Sequence, residues 1–176
     1  MNKKYTDQDW KKIYLDPYKT TRNMYLRYIQ YQILCRYVPC RKYINMINVQ
    51  ENMMCTFCNN AVETISHLFV DCPKIKVFWS SINSWLRIIG YKNLVIKKEL
   101  ILFGIAERDI TIKVIILCSK YIILKNQKKG QCPHIREVKF FLKKQLEAEE
   151  YMAKIRMNEK TFLGKWAHIF HELKNM

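Results

Sequence analysis

A chain of 176 residues, 49% of them hydrophobic and with only four Gly and four Pro, can bury one real core and has few places for long loops, which favours one domain over two. No run of eighteen apolar residues occurs, because Lys113 and Lys120 interrupt the nearest candidate at 110–124, so a membrane-spanning helix is not expected. The net charge of +16 points to a polyanionic partner, unless it reflects only a coding bias that also inflates Asn, Ile and Tyr.

Taken in chain order, Thr6 is placed to cap a short first helix carrying Trp10 and Ile13, which Pro17 closes. A second helix over about 20–38 sets Leu26, Ile29, Ile33 and Tyr37 on one face at spacings of three and four. Met24, Tyr28, Tyr31 and Cys35 form another apolar stripe, with Arg22, Arg27, Gln30, Gln32 and Arg36 between the two. Burial of that stripe in a layered core is the favoured reading, since aromatics at helical spacing are usually core. The other reading has Tyr28 and Tyr31 stacking on bases while neighbouring arginines hold the backbone.

Cys55, Cys58, His67 and Cys72 come next, in the pattern C-x2-C-x8-H-x4-C. Three thiolates and one imidazole complete the tetrahedral shell of one Zn²⁺ and leave no position for a substrate, so the expected cofactor is a single structural zinc. The pair separated by Thr56 and Phe57 suits one metal, and 64–71 reads as helical, with His67 and Cys72 near its end. Disulfides fit poorly: seven cysteines leave one over, and without a secretory signal a reducing compartment is expected. The plain alternative is a set of reduced, buried thiols beside an unrelated histidine. Cys35 and Cys40 flank Pro39 just upstream, but the quartet is complete without them.

Pro73 suits the first turn of the next helix, where Ile75, Phe78, Trp79, Ile82, Trp85, Leu86 and Ile89 share a face until Gly90 ends it. A short helix over 97–103 precedes the apolar run at 110–124. That run has β-branched residues enough for a strand, but its length and lack of alternation favour a buried helix. It leads into a basic turn at 125–130, a candidate phosphate contact whose cations would also suit a helix C-terminus. A long helix over about 135–157 carries Val138, Phe141, Leu142 and Met152; Lys143, Lys144, Glu147, Glu149 and Glu150 read as a solvated face with intrahelical pairs. The last helix, about 159–173, is expected to bury Phe162, Trp166, Ile169 and Phe170. Cys132, His134, His168 and His171 are too few and too scattered for a second metal.

The stretch CTFCNNAVETISHLFVDCPKIKVFW, residues 55–79, resembles the zinc-binding domain that lies C-terminal to the reverse transcriptase in non-LTR (LINE-type) retrotransposon proteins. The resemblance extends beyond the ligands. That family places a helix of the type xQYxILxRxxP before the zinc loop, and here Gln30-Tyr31-Gln32-Ile33-Leu34-Cys35-Arg36-Tyr37-Val38-Pro39 stands in that position. Cys72-Pro73 and the Phe78-Trp79 pair match the family's residues at and after the last ligand, and Leu102-Phe103-Gly104, 118–122 and Trp166 are more loosely similar to the tail of such proteins. The retroviral zinc knuckle shares the outer spacings but has four residues, with glycines, before its histidine; the eight here, without glycine, predict a loop plus helix stapled into a helical body.

Family proteins of full length resemble an endonuclease joined to a polymerase, yet this sequence has no adjacent carboxylate pair to hold the metals of nucleotide addition. The chain therefore reads as a C-terminal piece that is no enzyme by itself. The expected fold is mainly α: one compact helical domain over 1–176 with a CCHC zinc loop-helix at 55–72. The resemblance implies a non-catalytic module that binds element RNA or target DNA, largely without regard to sequence, during target-primed reverse transcription in an intracellular ribonucleoprotein, nuclear or cytoplasmic. Lys11, Lys12, Arg22, Arg27, Arg36, Arg41, Lys42, Lys125, Lys128 and Lys129 are the expected phosphate contacts. The alternatives are a module that docks on the polymerase domain of the parent protein through apolar stripes, or an inactive truncated copy.

Overall fold

A helix that is apolar all round has to be wrapped on every side, and residues 111–124 find that environment at the centre of the molecule. The computed structural model describes residues 5–48, 52–104 and 109–175. Along these the chain forms α1 (Asp7–Thr20), α2 (Met24–Leu34), α3 (Arg41–Ile47), a π-helical turn (His67–Asp71), α4 (Pro73–Ile88), α5 (Lys98–Phe103), α6 (Ile110–Lys129), α7 (Ile135–Ile155) and α8 (Glu159–Lys174). No strand forms among the described residues; Met54 and Val62 make an isolated antiparallel bridge. The mainly helical class expected from the apolar periodicity is the one the chain adopts.

Helix α6 packs against α1, α2, α7, α8 and the π-turn. From Thr111 to Leu124 all its residues are buried except Lys113 and Tyr121, which are half-buried. Asp109 caps its N-terminus by accepting from the Thr111 and Ile112 N–H groups, and Gly130, at φ 66°, supplies the left-handed residue that closes its far end. The basic turn expected at 125–130 is thus the last part of this helix. Asn126 and Gln127 are buried there, while Lys125, Lys128 and Lys129 face solvent.

Helix α4 behaves as its pattern predicts. Pro73 occupies the first turn, where no N–H is needed, and Ile75, Phe78, Trp79, Ile82, Trp85 and Leu86 are buried. Each such side chain contributes about 1.5–3 kcal/mol relative to exposure, and both indoles find acceptors, Trp79 at the Phe69 carbonyl (2.7 Å) and Trp85 at Glu172 Oε1 (2.5 Å).

Several expectations are corrected. Pro17 does not close α1, which runs on to Thr20. In the last turn proline forfeits one backbone hydrogen bond, and the burial of Ile13, Pro17 and Thr20 on one face offsets it. The second helix is shorter than 20–38, because Asn23 caps it through Tyr25 and Leu26 and Arg36, at φ 60°, turns the chain away after it. Tyr37 consequently leaves the buried face, and Gln30 takes a place in it.

The stripe expected to be buried is exposed, Met24 at 77%, Tyr28 at 53% and Tyr31 at 48%, because α6 and α5 cover only the Leu26, Ile29 and Ile33 side of α2. On α7, Val138, Leu142, Leu146 and Ala153 are buried while Met152 is exposed; on α8, Leu173 is buried and Phe170 only partly. The α7 charges do not simply pair within the helix: Glu149 meets Lys165, Glu150 meets Lys174 and Lys139 meets Glu172, tying α7 to α8.

Lys120 is a further departure. Its amine lies in the core, 1% exposed, and donates to Gln30 Oε1 at 2.5 Å, while Gln30 Nε2 donates to the Leu102 carbonyl. Burial pulls this lysine down to about 7, with Asp16 opposing the change.

Candidate metal centre

Residues 52–72 form a loop that the backbone prepares before any side chain is considered. Cys55 N–H donates to the Ala61 carbonyl and Asn59 N–H to the Cys55 carbonyl, with Asn59 at φ 54°, so the chain doubles back through a tight turn. The Met54–Val62 bridge closes its base. The next segment starts as an α-helix at Ile65 and widens at His67, where the Cys72 N–H reaches back five residues to the His67 carbonyl at 3.0 Å. Five residues in a regular α-helix lie about 140° apart. The π-turn removes much of that divergence and lets His67 and Cys72 face one point.

The four candidate ligand atoms lie within 4.8 Å of one another. Cys55 Sγ and Cys72 Sγ are 3.8 Å apart, and Cys58 Sγ is 3.3 Å from His67 Nε2. A tetrahedral zinc with Zn–S of ~2.3 Å and Zn–N of ~2.0–2.1 Å has S···S edges of about 3.8 Å and S···N edges of about 3.6 Å, so distances and donor chemistry both fit one structural Zn²⁺. Cys55 and Cys72 are buried; Cys58 and His67 are half-exposed.

The protein also supplies donors to the sulfurs. Phe57 N–H points at Cys55 Sγ at 3.4 Å. Burial pushes the Cys55 thiol up to about 12 against the N–H groups of Cys58 and Phe57, and raises Cys72 against those of Ile75 and Lys74 at the start of α4. For Cys58 burial also acts upward, but the Asn60 N–H together with His67, Cys55 and Cys72 outweighs it and brings the thiol down to about 7. Metal binding has to release the protons of the buried thiols, which makes it favourable only well above acid pH.

Glu63 was missed by sequence reasoning and organises the surroundings. It is 0% exposed; Oε2 accepts from Thr56 N–H (2.8 Å), and Oε1 from Arg41 N–H (3.0 Å) and Gln127 Nε2 (2.7 Å). Gln127 also donates to the Pro39 carbonyl, and Arg41 Nε to Thr56 Oγ1. One carboxylate thereby joins the metal loop, the first turn of α3 and the last turn of α6. The available signal was a lone acid inside the loop, but its partners lie up to 64 residues away.

The expected phosphate contacts divide in two. Arg41, Lys42, Lys125, Lys128 and Lys129 flank the Glu63 junction, Arg41 half-buried and the four lysines exposed. Lys11, Lys12, Arg22, Arg27 and Arg36 belong to α1, α2 and their links. All of these are exposed except Arg27, which is half-buried, with Nε on the Thr21 carbonyl and Nη2 on the Tyr18 carbonyl.

The quartet is the one group of three or more such ligands among the described residues. Cys132 is exposed, His134 caps α7 by accepting from the Arg136 N–H, and His168 lies against Tyr91. Cys35 is exposed and Cys40 buried, both apart from the quartet.

The model of a family described as zinc-binding in reverse transcriptase matches residues 1–79. The matched stretch contains all four ligands, Glu63 and α1 to α3, and ends at Trp79. No curated protein matches the chain.

Proposed function

We propose that this chain is a non-catalytic, zinc-stabilised nucleic-acid-binding module of a non-LTR retrotransposon reverse transcriptase, holding element RNA or target DNA during target-primed reverse transcription. One observation carries the reading. A closed Cys₃His centre, in a stretch matched by the reverse-transcriptase zinc-binding family, is bonded through Glu63 to two helix ends that present Lys42, Lys125, Lys128 and Lys129 to solvent.

A filled tetrahedral shell offers no coordination position for a substrate, so zinc here fixes geometry. The lysines neutralise phosphates and release condensed counterions, giving affinity with little sequence preference. Partners of this kind place the module in an intracellular ribonucleoprotein, next to the polymerase of its parent protein.

The test is binding of the zinc-loaded protein to RNA and DNA between ~50 and ~200 mM salt. Log affinity falls linearly with log salt, and changing Lys42, Lys125, Lys128 and Lys129 to Gln flattens the slope. An unchanged affinity across that range rejects the proposal and favours docking on the polymerase, for which the exposed Met24, Tyr28 and Tyr31 stripe would be the contact.

A further inference from the structure

The outer surface of α1 and α2 has a composition that neither the metal centre nor the Glu63 junction uses. Tyr14 (40% exposed) and Tyr18 (61%) stand on α1, Tyr28 (53%) and Tyr31 (48%) on α2, and Tyr37 lies just beyond α2. They form one neighbourhood. Tyr37 meets Tyr28 and Tyr31 edge-on, with centroids 6.4 and 5.9 Å away, and Arg27 of α2 reaches over the Tyr18 ring of α1. Edge-on packing holds the rings in place without covering both faces of any of them.

Cations accompany the rings. Arg27 lies over Tyr18, with Cζ 4.9 Å from the ring centroid, and two of its donors are fixed on the Thr21 and Tyr18 carbonyls. Lys19, Arg22 and Arg36 are exposed in the same segment. Its one acid between Tyr14 and Tyr37 is Asp16, which is paired with Lys113 of α6. Between Tyr14 and Tyr37 the exposed charges are therefore all positive, and they accompany half-open aromatic rings.

We infer that this tyrosine face is a stacking platform for single-stranded nucleic acid, whose bases lie on the rings while arginines hold the phosphates. The inference rests on the nucleic-acid reading proposed for the chain and narrows it to a strand class and a surface. A duplex keeps its base faces stacked internally, so it can use the cations but not the rings; a single strand can use both. A protein partner of ordinary apolar character would leave the cations unmatched and the hydroxyls dry.

The experiment compares zinc-loaded wild type with Tyr28→Ala/Tyr31→Ala and Tyr28→Phe/Tyr31→Phe, using a single-stranded oligonucleotide, the corresponding duplex and polyglutamate as probes. Both tyrosines are about half exposed, so the variants should fold; zinc content and far-UV circular dichroism check this for each protein. The alanine pair weakens single-strand binding by roughly tenfold or more and duplex binding by less than about twofold, because stacking is lost and charge is not. The phenylalanine pair retains binding, and the salt slope stays the same in both. Equal losses on single strand and duplex, no loss on either, or polyglutamate bound as tightly as the strand and equally weakened would each overturn the inference while leaving salt-dependent binding intact. Absence of salt-dependent binding by wild type to any strand would instead remove the reading beneath it.

Discussion

The loop at 52–72 and the α6–α8 bundle solve the same problem with different means. The bundle excludes water with side chains: Trp166, Ile115, Ile116, Leu142 and Leu146 are essentially inaccessible, and ion pairs between α7 and α8 close its rim. In the loop, Cys55, Phe57, Leu68, Phe69 and Cys72 are the buried apolar residues, and two of these are ligands. Its order comes from hydrogen bonds around Glu63 and from the shared ligand set, with Leu68 and Phe69 of the π-turn anchored in the common core. A segment organised by ligands can be dissolved by removing one atom, whereas a packed bundle loses stability in proportion to the volume removed.

Metal removal breaks the comparison most sharply. Chelation, or Cys72→Ser, removes on the order of 10 kcal/mol of apparent binding energy from folding of the loop. Hydrogen exchange should then become fast through 52–72 and at the start of α4 while amides of α6–α8 remain protected, and metal analysis of the intact protein should give about one zinc per chain. Loss of protection throughout the bundle would show that the two regions are one cooperative unit.

The bundle has its own test in Trp166→Ala. The indole is fully buried and donates to Glu149 Oε2 at 2.8 Å, so the change costs about 3–5 kcal/mol in denaturant unfolding, with zinc affinity unaltered.

Next in size is Lys120→Met, which is expected to stabilise the bundle by on the order of 1–4 kcal/mol at neutral pH and below, where removing the desolvated charge outweighs the hydrogen bond that Gln30 Oε1 loses. Its pH dependence has a definite sign. The folded lysine titrates near 7 and the unfolded one near its ordinary value of 10.5, so between these the unfolded state binds the extra proton and stability of the parent protein rises with pH. Below about pH 7 both states are charged and the full penalty stands. The gain from Lys120→Met is therefore largest below pH 7 and shrinks towards pH 10.5; urea unfolding at pH 6 and pH 9 checks the order.

The smallest effect sharpens the join between the regions. Glu63→Gln keeps the size of the side chain, removes its charge and replaces one acceptor by a donor that faces N–H groups, costing about 1–3 kcal/mol. Zinc stays bound, but exchange at Thr56 and Arg41 accelerates, and affinity for nucleic acid falls less than in the lysine variants.

The ligand spacing and the α4 face were legible because both depend on intervals within one short stretch, Cys55 to Cys72 and Ile75 to Leu86. The buried α6 was legible because its apolar residues leave no solvent face. Helix ends were less so: Pro17 breaks a local rule that burial of Ile13 and Thr20 overrides, and Arg36 takes a left-handed conformation more typical of Gly or Asn. The exposure of Tyr28 and Tyr31 depends on which side of α2 meets α6, and a helix with two apolar stripes does not declare which one is covered. The buried roles of Glu63 and Lys120 were not legible, since their partners Gln127 and Gln30 are 64 and 90 residues away.

The widened turn between His67 and Cys72 also predicts how related sequences can drift in length. Each residue of a helix advances it by about 100°, so one inserted or deleted residue between these ligands would rotate α4 and carry Trp79 and Trp85 off their acceptors. Length changes elsewhere between Cys58 and His67 do not pass through this turn and leave that orientation unchanged. Evolutionary gaps should therefore collect between the second cysteine and the histidine, with the interval from histidine to last cysteine held constant.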